Sequence, residues 1–255
     1  MLTANLRTLQ FCLKPTVLSG YLRGLDTVYS SYSIEPLQPI DLAEILGGES
    51  PSELFLPIMY CRPGSTPFAD LTALAALTRH KQPHSIFEIG TFEGLTSVVF
   101  CKNGHPGVRV HTLDLPHQRK DLQRTTRSFD SHSIGQQYDS GHLIDKLISD
   151  NRVECLFGDS ALFDFGPYQD QIDLFFVDGA HTEDYVAKDS LNAFRCVAPG
   201  GWTIWHDCLT PQVLSVLKLI AQELPVYHIS QTSLAIAMQK PGKDFPWQLL
   251  HREIR

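Results

Sequence analysis

From Pro83 onward, short apolar runs of β type alternate with helix-compatible stretches; the runs cover 85–89, 108–114, 153–157, 172–178 and 202–206. That alternation predicts a parallel sheet joined by crossover helices. The 172–177 run, IDLFFV, is almost wholly apolar, which predicts a central strand covered on both faces. Two further runs, 226–230 and 233–238, are separated by Gln231 and Thr232. They predict an antiparallel hairpin closing one edge, with no crossover helix beside it. Upstream, Thr66 as N-cap, Pro67 at the first helical position and Asp70 in the first turn predict a helix over 68–80, packed beside the first strand. Trp202 and Trp205, in or beside a strand, are expected in the core.

Residues 1–64 carry six prolines and a Gly47-Gly48 pair, without sustained periodicity. They are expected to form an N-terminal extension that caps the site or mediates self-association, with one domain over 65–255. The polar stretch 116–141 separates the second and third strands and is irregular.

Composition narrows the class. The chain has 255 residues, 43% hydrophobic and 19% charged, enough for a sizeable core and unlike a disordered chain. A formal net charge of -7 argues against a nucleic-acid partner. The longest apolar runs, 54–60 and 172–177, fall far short of the roughly 20 residues that span a membrane. The first residues lack the pattern of a secretory signal, so a cytoplasmic location is expected. The six cysteines (Cys12, Cys61, Cys101, Cys155, Cys196 and Cys208) include no CxxC pair, which argues against a zinc knuckle and for reduced, mostly buried thiols.

The most informative segment is SIFEIGTFEGLTS, residues 85–97, a strand running into a turn framed by Gly90 and Gly94 and then into a helix. Glycines allow the backbone to turn tightly and approach a ligand, and the helix start directs unpaired N–H groups to the same space. The spacing is GxxxG rather than the GxGxxG of dinucleotide binders, which points away from NAD toward a ligand without phosphate. Asp114 ends the second strand where a carboxylate accepts from ribose hydroxyls, or else caps the turn through Pro116. Asp159 and Ser160, after the third strand, can accept from an adenine amino group or cap a helix.

Taken in order, EIGTFEGLT, HTLD, FGDS, FFVDGAH and PGGWTIWHD resemble class I S-adenosylmethionine-dependent methyltransferases, over Ser85 to Met238. The resemblance implies an α/β fold: a Rossmann-like sheet of seven strands, mostly parallel with an antiparallel last strand, and helices on both faces. It implies S-adenosylmethionine as cofactor. Glu88, Gly90 and Gly94, with Thr91 and Thr96, would line its methionine side, Asp114 would hold the ribose, Asp159 and Ser160 would flank the adenine, and Asp178 would reach the same cleft.

Two strand ends remain for chemistry, Asp178-Gly-Ala-His181 and His206-Asp207. Adjacent strands lie about 4.8 Å apart, so Asp178 and Asp207 could share a divalent cation, magnesium or manganese, with His181 or His206 nearby. The pair is similar to the metal site of catechol-type O-methyltransferases, which follow the second aspartate with asparagine where this chain has Cys208. Either histidine could instead be a general base, so the catalytic candidates are Asp178, His181 and His206. The structural alternative is that the aspartates cap their turns and His181 caps the helix near Thr182. The expected activity is methylation, at oxygen, of a small acceptor. A hydroxylase similar to cephalosporin-hydroxylase-like proteins, or a non-catalytic cofactor binder, would use the same sheet.

Overall fold

The computed structural model describes residues 37–49, 51–57, 64–115, 140–242 and 244–251. Residues 1–36 and most of the 116–141 stretch, which the sequence assigns to a cap and to an irregular insert, lie outside the described residues.

The elements run β1 (Gln38–Ile40), α1 (Leu42–Ile45), α2 (Phe68–Lys81), β2 (Ser85–Ile89), α3 (Leu95–Asn103), β3 (Arg109–Asp114), α4 (His142–Leu147), β4 (Val153–Phe157), β5 (Ile172–Val177), α5 (Glu183–Cys196), β6 (Val197–Trp205), α6 (Pro211–Ala221), β7 (Tyr227–Ile229) and β8 (Ala235–Ala237). They build one eight-stranded sheet in the order β1-β7-β8-β6-β5-β2-β3-β4. All pairings are parallel except those of β8, which runs antiparallel between β6 and β7. The seven strands expected from the sequence are present, with the last one antiparallel.

Two expectations about the sheet edge are corrected. The β7–β8 hairpin does not close the sheet, because β1, from the extension, pairs with β7 through Gln38↔Tyr227 to Ile40↔Ile229. The three-residue β1 is too short, and too proline-marked, to announce itself as a strand. Nor does the hairpin lack a crossover helix. The eleven residues of α6 carry the chain from β6 to β7, started by Pro211 at a position where a missing N–H costs nothing.

Alternating strand side chains divide the core into two layers. Ile86, Leu174, Phe176 and Ile204 face α2 and α3, while Phe87, Phe175, Val177 and Trp205 face α5 and α6. The central strand β5 is covered on both faces, as its apolar run predicts, and Trp202 and Trp205 are both buried. Helix α2 is buried along ten successive positions, 69–78, a pattern its alanines and leucines satisfy on every face. Its N-cap is Pro67, not Thr66, and no side chain caps it; the Thr66 hydroxyl instead meets that of Thr96 on α3 at 3.0 Å. More of the extension is tied down by Asn103, which exchanges two hydrogen bonds with the Phe55 backbone. Of the described cysteines, Cys101, Cys196 and Cys208 are buried and Cys155 is exposed, all unpaired. Among the described residues, no helix is long and apolar enough to cross a membrane.

Candidate functional site

The register sets the site. Ile89, Val177 and Trp205 lie side by side at the last rung of β2, β5 and β6. One further step brings Gly90, Asp178 and His206 together at the carboxyl edge, where Asp178 N–H donates to the Ile89 carbonyl (2.9 Å) and His206 N–H to the Val177 carbonyl (3.0 Å). Ligand sites of open α/β sheets form at such an edge.

Gly90 has φ +100, and a Cβ there would lie 1.9 Å from the Asp178 carbonyl oxygen, so only glycine lets the two strand ends close on each other. Gly94 also has a left-handed φ, +86, but its need for glycine has another source. A Cβ there would lie 2.7 Å from Ile144 Cγ1 and 3.1 Å from Gly141 Cα, so it accommodates α4 packed over the turn. Beneath the turn, the wholly buried Glu88 accepts from Ser97 and, at 2.7 Å, from Thr112 through Oε2; Thr91 lies 2.7 Å from the same Thr112 hydroxyl. Glu88 Oε1 is buried with no partner among the described residues. Burial pushes the Glu88 carboxyl up to about 8 against those hydroxyl bonds.

Asp114 accepts from Leu115 N–H (2.8 Å), Phe92 N–H (3.1 Å) and the Ser140 hydroxyl (2.7 Å). It therefore caps the turn that follows it, the structural role foreseen for it, and also the Gly90 turn, with Oδ2 accepting from both Phe92 and Ser140. Asp159 accepts from Ala161 N–H at 2.9 Å and from the Tyr185 hydroxyl at 3.2 Å. Below Gly179, the carboxyl of Asp189 is fully buried with neither oxygen bonded in good geometry among the described residues, and desolvation raises it to about 7 against the nearby Ser160 hydroxyl.

At the ends of β5 and β6 the sequence-predicted residues meet. His206 Nδ1 lies 3.1 Å from Asp178 Oδ1 and 3.3 Å from Asp207 Oδ2. His181 Nε2 lies 3.1 Å from the same Asp207 oxygen and 3.9 Å from Asp178. Ligand atoms of Asp178, His181 and Asp207 fall within 4.8 Å of one another, a donor set that suits a divalent cation. Burial opposes an ionised Asp207, but the imidazoles of His181 and His206 close beside it outweigh burial and hold the carboxyl well below its usual range. Burial likewise opposes a charged His206, yet the carboxylates of Asp178 and Asp207 raise it well above the ordinary value.

The far side of His206 was not foreseen as part of a site. Its Nε2 lies 3.1 Å from Asp70 Oδ2, on the first turn of α2. Asp70 also accepts from Ser233 N–H (2.9 Å) and the Ser233 hydroxyl (2.6 Å), in the β7–β8 turn. An aspartate in the first turn of a helix carries an ordinary explanation through the helix dipole, and that explanation hid this one.

Residues 87–208 match the family of methyltransferase domains. No curated protein matches the sequence. Among solved structures, cofactor-bound Rv0187 from MTB is 14% identical with a TM-score of 0.54, over 90% of this chain and 99% of that one. The Podospora anserina methyltransferase PaMTH1, bound to SAH, is 11% identical with a TM-score of 0.52, over 90% and 98%. An O-methyltransferase from Bacillus cereus in complex with SAH is 16% identical with a TM-score of 0.50, over 87% and 100%.

Proposed function

We propose that this chain, whose residues 87–208 match a family of methyltransferase domains, is a class I, S-adenosylmethionine-dependent enzyme that methylates an oxygen of a small acceptor, activated at Asp178, His181 and Asp207. The observation carrying this reading is the convergence of those three side chains at the carboxyl edge beside the Gly90 turn. S-adenosylmethionine supplies an electrophilic methyl group, and the protein's task is to hold acceptor oxygen, methyl carbon and sulfur in line. Glu88, Gly90, Thr91, Gly94 and Thr96 are assigned to the methionine side, Asp114 to the ribose, and Asp159 and Ser160 to the adenine, with Asp178 at the junction of cofactor and acceptor. The unpartnered Glu88 Oε1 fits a site that takes a polar ligand.

Asp178, His181 and Asp207 would hold magnesium or manganese, and such an ion would lower the pKa of an acceptor hydroxyl. Ionised Asp207 suits that role. A second reading rests on the 3.1 Å contact between His181 and Asp207, in which Asp207 orients His181 as the base that takes the hydroxyl proton. His206 fits the base role less well, since carboxylates face both of its nitrogens.

The extension, residues 1–64, is assigned to covering the acceptor side or to self-association, and deleting it should change acceptor turnover or sedimentation. Labelled S-adenosylmethionine and a panel of phenols and catechols, with and without chelator, test the main reading. Transfer abolished by chelator and restored by magnesium supports the cation; transfer indifferent to chelator but lost in His181→Ala supports the base. Absence of S-adenosylhomocysteine binding would defeat both.

A further inference from the structure

Asp70 has no exposed surface. A buried carboxylate is costly unless hydrogen-bonded, and here three bonds from two distant segments meet it. None of the three comes from its own helix. They reach 136 and 163 positions along the chain, to the end of β6 and to the β7–β8 turn. If stability alone were served, an apolar residue of similar volume would do as well, since buried ion pairs contribute little net stability over well-packed hydrophobes.

What this arrangement does is fix an orientation. With Nε2 held against Asp70 and Nδ1 facing Asp178 and Asp207, the His206 ring has no second rotamer that keeps its partners. Ser233 reinforces the same point from the other side, because its carbonyl accepts from Cys208 N–H at 2.9 Å, next to Asp207. Asp207 itself sits at φ +49, a left-handed conformation that needs such support.

We propose that Asp70 is a positioning residue of the site: through His206 it fixes the carboxylates of Asp178 and Asp207 where they meet the acceptor. Its effect on turnover rests on the methyl-transfer reading above, whereas its hold on the imidazole does not.

The test uses the full chain as wild type, Asp70→Asn and Ser233→Ala. Long-range nitrogen NMR of the His206 ring is the first readout. In the wild type an exchange-protected N–H is expected at Nε2; in Asp70→Asn that signal should vanish or move while S-adenosylhomocysteine affinity stays within about twofold. The second readout is methyl transfer to catechol, where Asp70→Asn should lower kcat by about tenfold or more with KM for the methyl donor unchanged, the signature of lost positioning. An unaltered ring spectrum overturns the proposal, as does an altered ring with unaltered kcat. Should Asp70→Asn fail to fold, Ser233→Ala, which removes one bond to Asp70 and leaves His206 its partner, must shift the Nε2 signal; no shift overturns the proposal. A wild-type chain that binds S-adenosylhomocysteine but transfers no methyl group to any acceptor counts against the methyl-transfer reading, and the ring spectra still decide the place of Asp70.

Discussion

The two halves of the carboxyl edge are built by different means. At the ends of β3 and β4, carboxylates are held largely by backbone N–H groups of neighbouring turns: Asp114 by Leu115 and Phe92, Asp159 by Ala161. At the ends of β5 and β6, side chains hold side chains across the whole chain, from Asp70 through His206 to Asp178. A locally satisfied carboxylate survives the loss of a distant neighbour. The second half is a network, where removing one partner weakens the hold on the others.

Gly90 joins the halves, and its replacement should have the largest effect. In Gly90→Ala the new Cβ would meet the Asp178 carbonyl at 1.9 Å, backbone against backbone, in a left-handed conformation that alanine resists. Neither strand end can yield alone. We expect a loss of at least about 3 kcal/mol in stability, or undetectable S-adenosylhomocysteine binding in whatever folds. Calorimetry and urea unfolding measure both, and wild-type behaviour would mean that the strand ends do not close as described.

The next effect tests how the buried carboxyls respond to pH. Glu88 and Asp189 are raised by burial to about 8 and about 7, from 4.5 and 3.8. A raised carboxyl binds its proton more tightly in the folded state, so its contribution is fully present below about pH 4 and is lost as pH rises through 7 to 8. Each tenfold gain in proton affinity on folding is worth about 1.4 kcal/mol, so Asp189 should account for roughly 2–4 kcal/mol across that window. Asp189→Asn, which cannot ionise, should flatten the decline in urea-unfolding free energy between pH 5 and 8. An equally steep decline in the variant would show that Asp189 ionises freely in the fold.

How far the sequence could be read follows the same division. Strand ends such as FEIG and FFVD combine an apolar run with a terminal carboxylate or glycine, so β2 and β5 and their site residues were legible from neighbours in the chain. β1 was not, because a three-residue edge strand leaves no period to read. Nor was the role of Asp70, since no local pattern marks a bond that spans 136 residues. The Thr66 cap failed for a related reason: the hydroxyl that local rules send to its own helix goes instead to Thr96. Local propensity yields where tertiary contacts offer a competing partner.

Asp114→Ala should have a smaller effect, and one confined to binding. If ribose hydroxyls donate to this carboxylate, S-adenosylhomocysteine affinity should fall by about 1–3 kcal/mol, with the fold retained because the freed Phe92 and Leu115 N–H groups lie near solvent. Unchanged affinity would leave Asp114 as a turn cap only.

The smallest effect sharpens the comparison at Asp159, which, like Asp114 with Ser140, also has a distant side-chain partner. Tyr185, on α5, donates to Asp159 at 3.2 Å, and burial, followed by that neighbouring carboxylate, pushes the phenol up to about 12. The bond is partly exposed, and the Asp159 carboxylate keeps Ala161 N–H when it is gone. Tyr185→Phe should therefore weaken S-adenosylhomocysteine binding by only about 0.5–1 kcal/mol, through looser placement of the carboxylate, with melting temperature nearly unchanged. Paired with Asp159→Ala in a double-mutant cycle, it should show a coupling of the same size. No coupling would place Asp159 wholly with the locally held carboxylates. A coupling of several kcal/mol would instead extend the side-chain network of β5 and β6 across to the adenine side, and the two halves of the edge would be one.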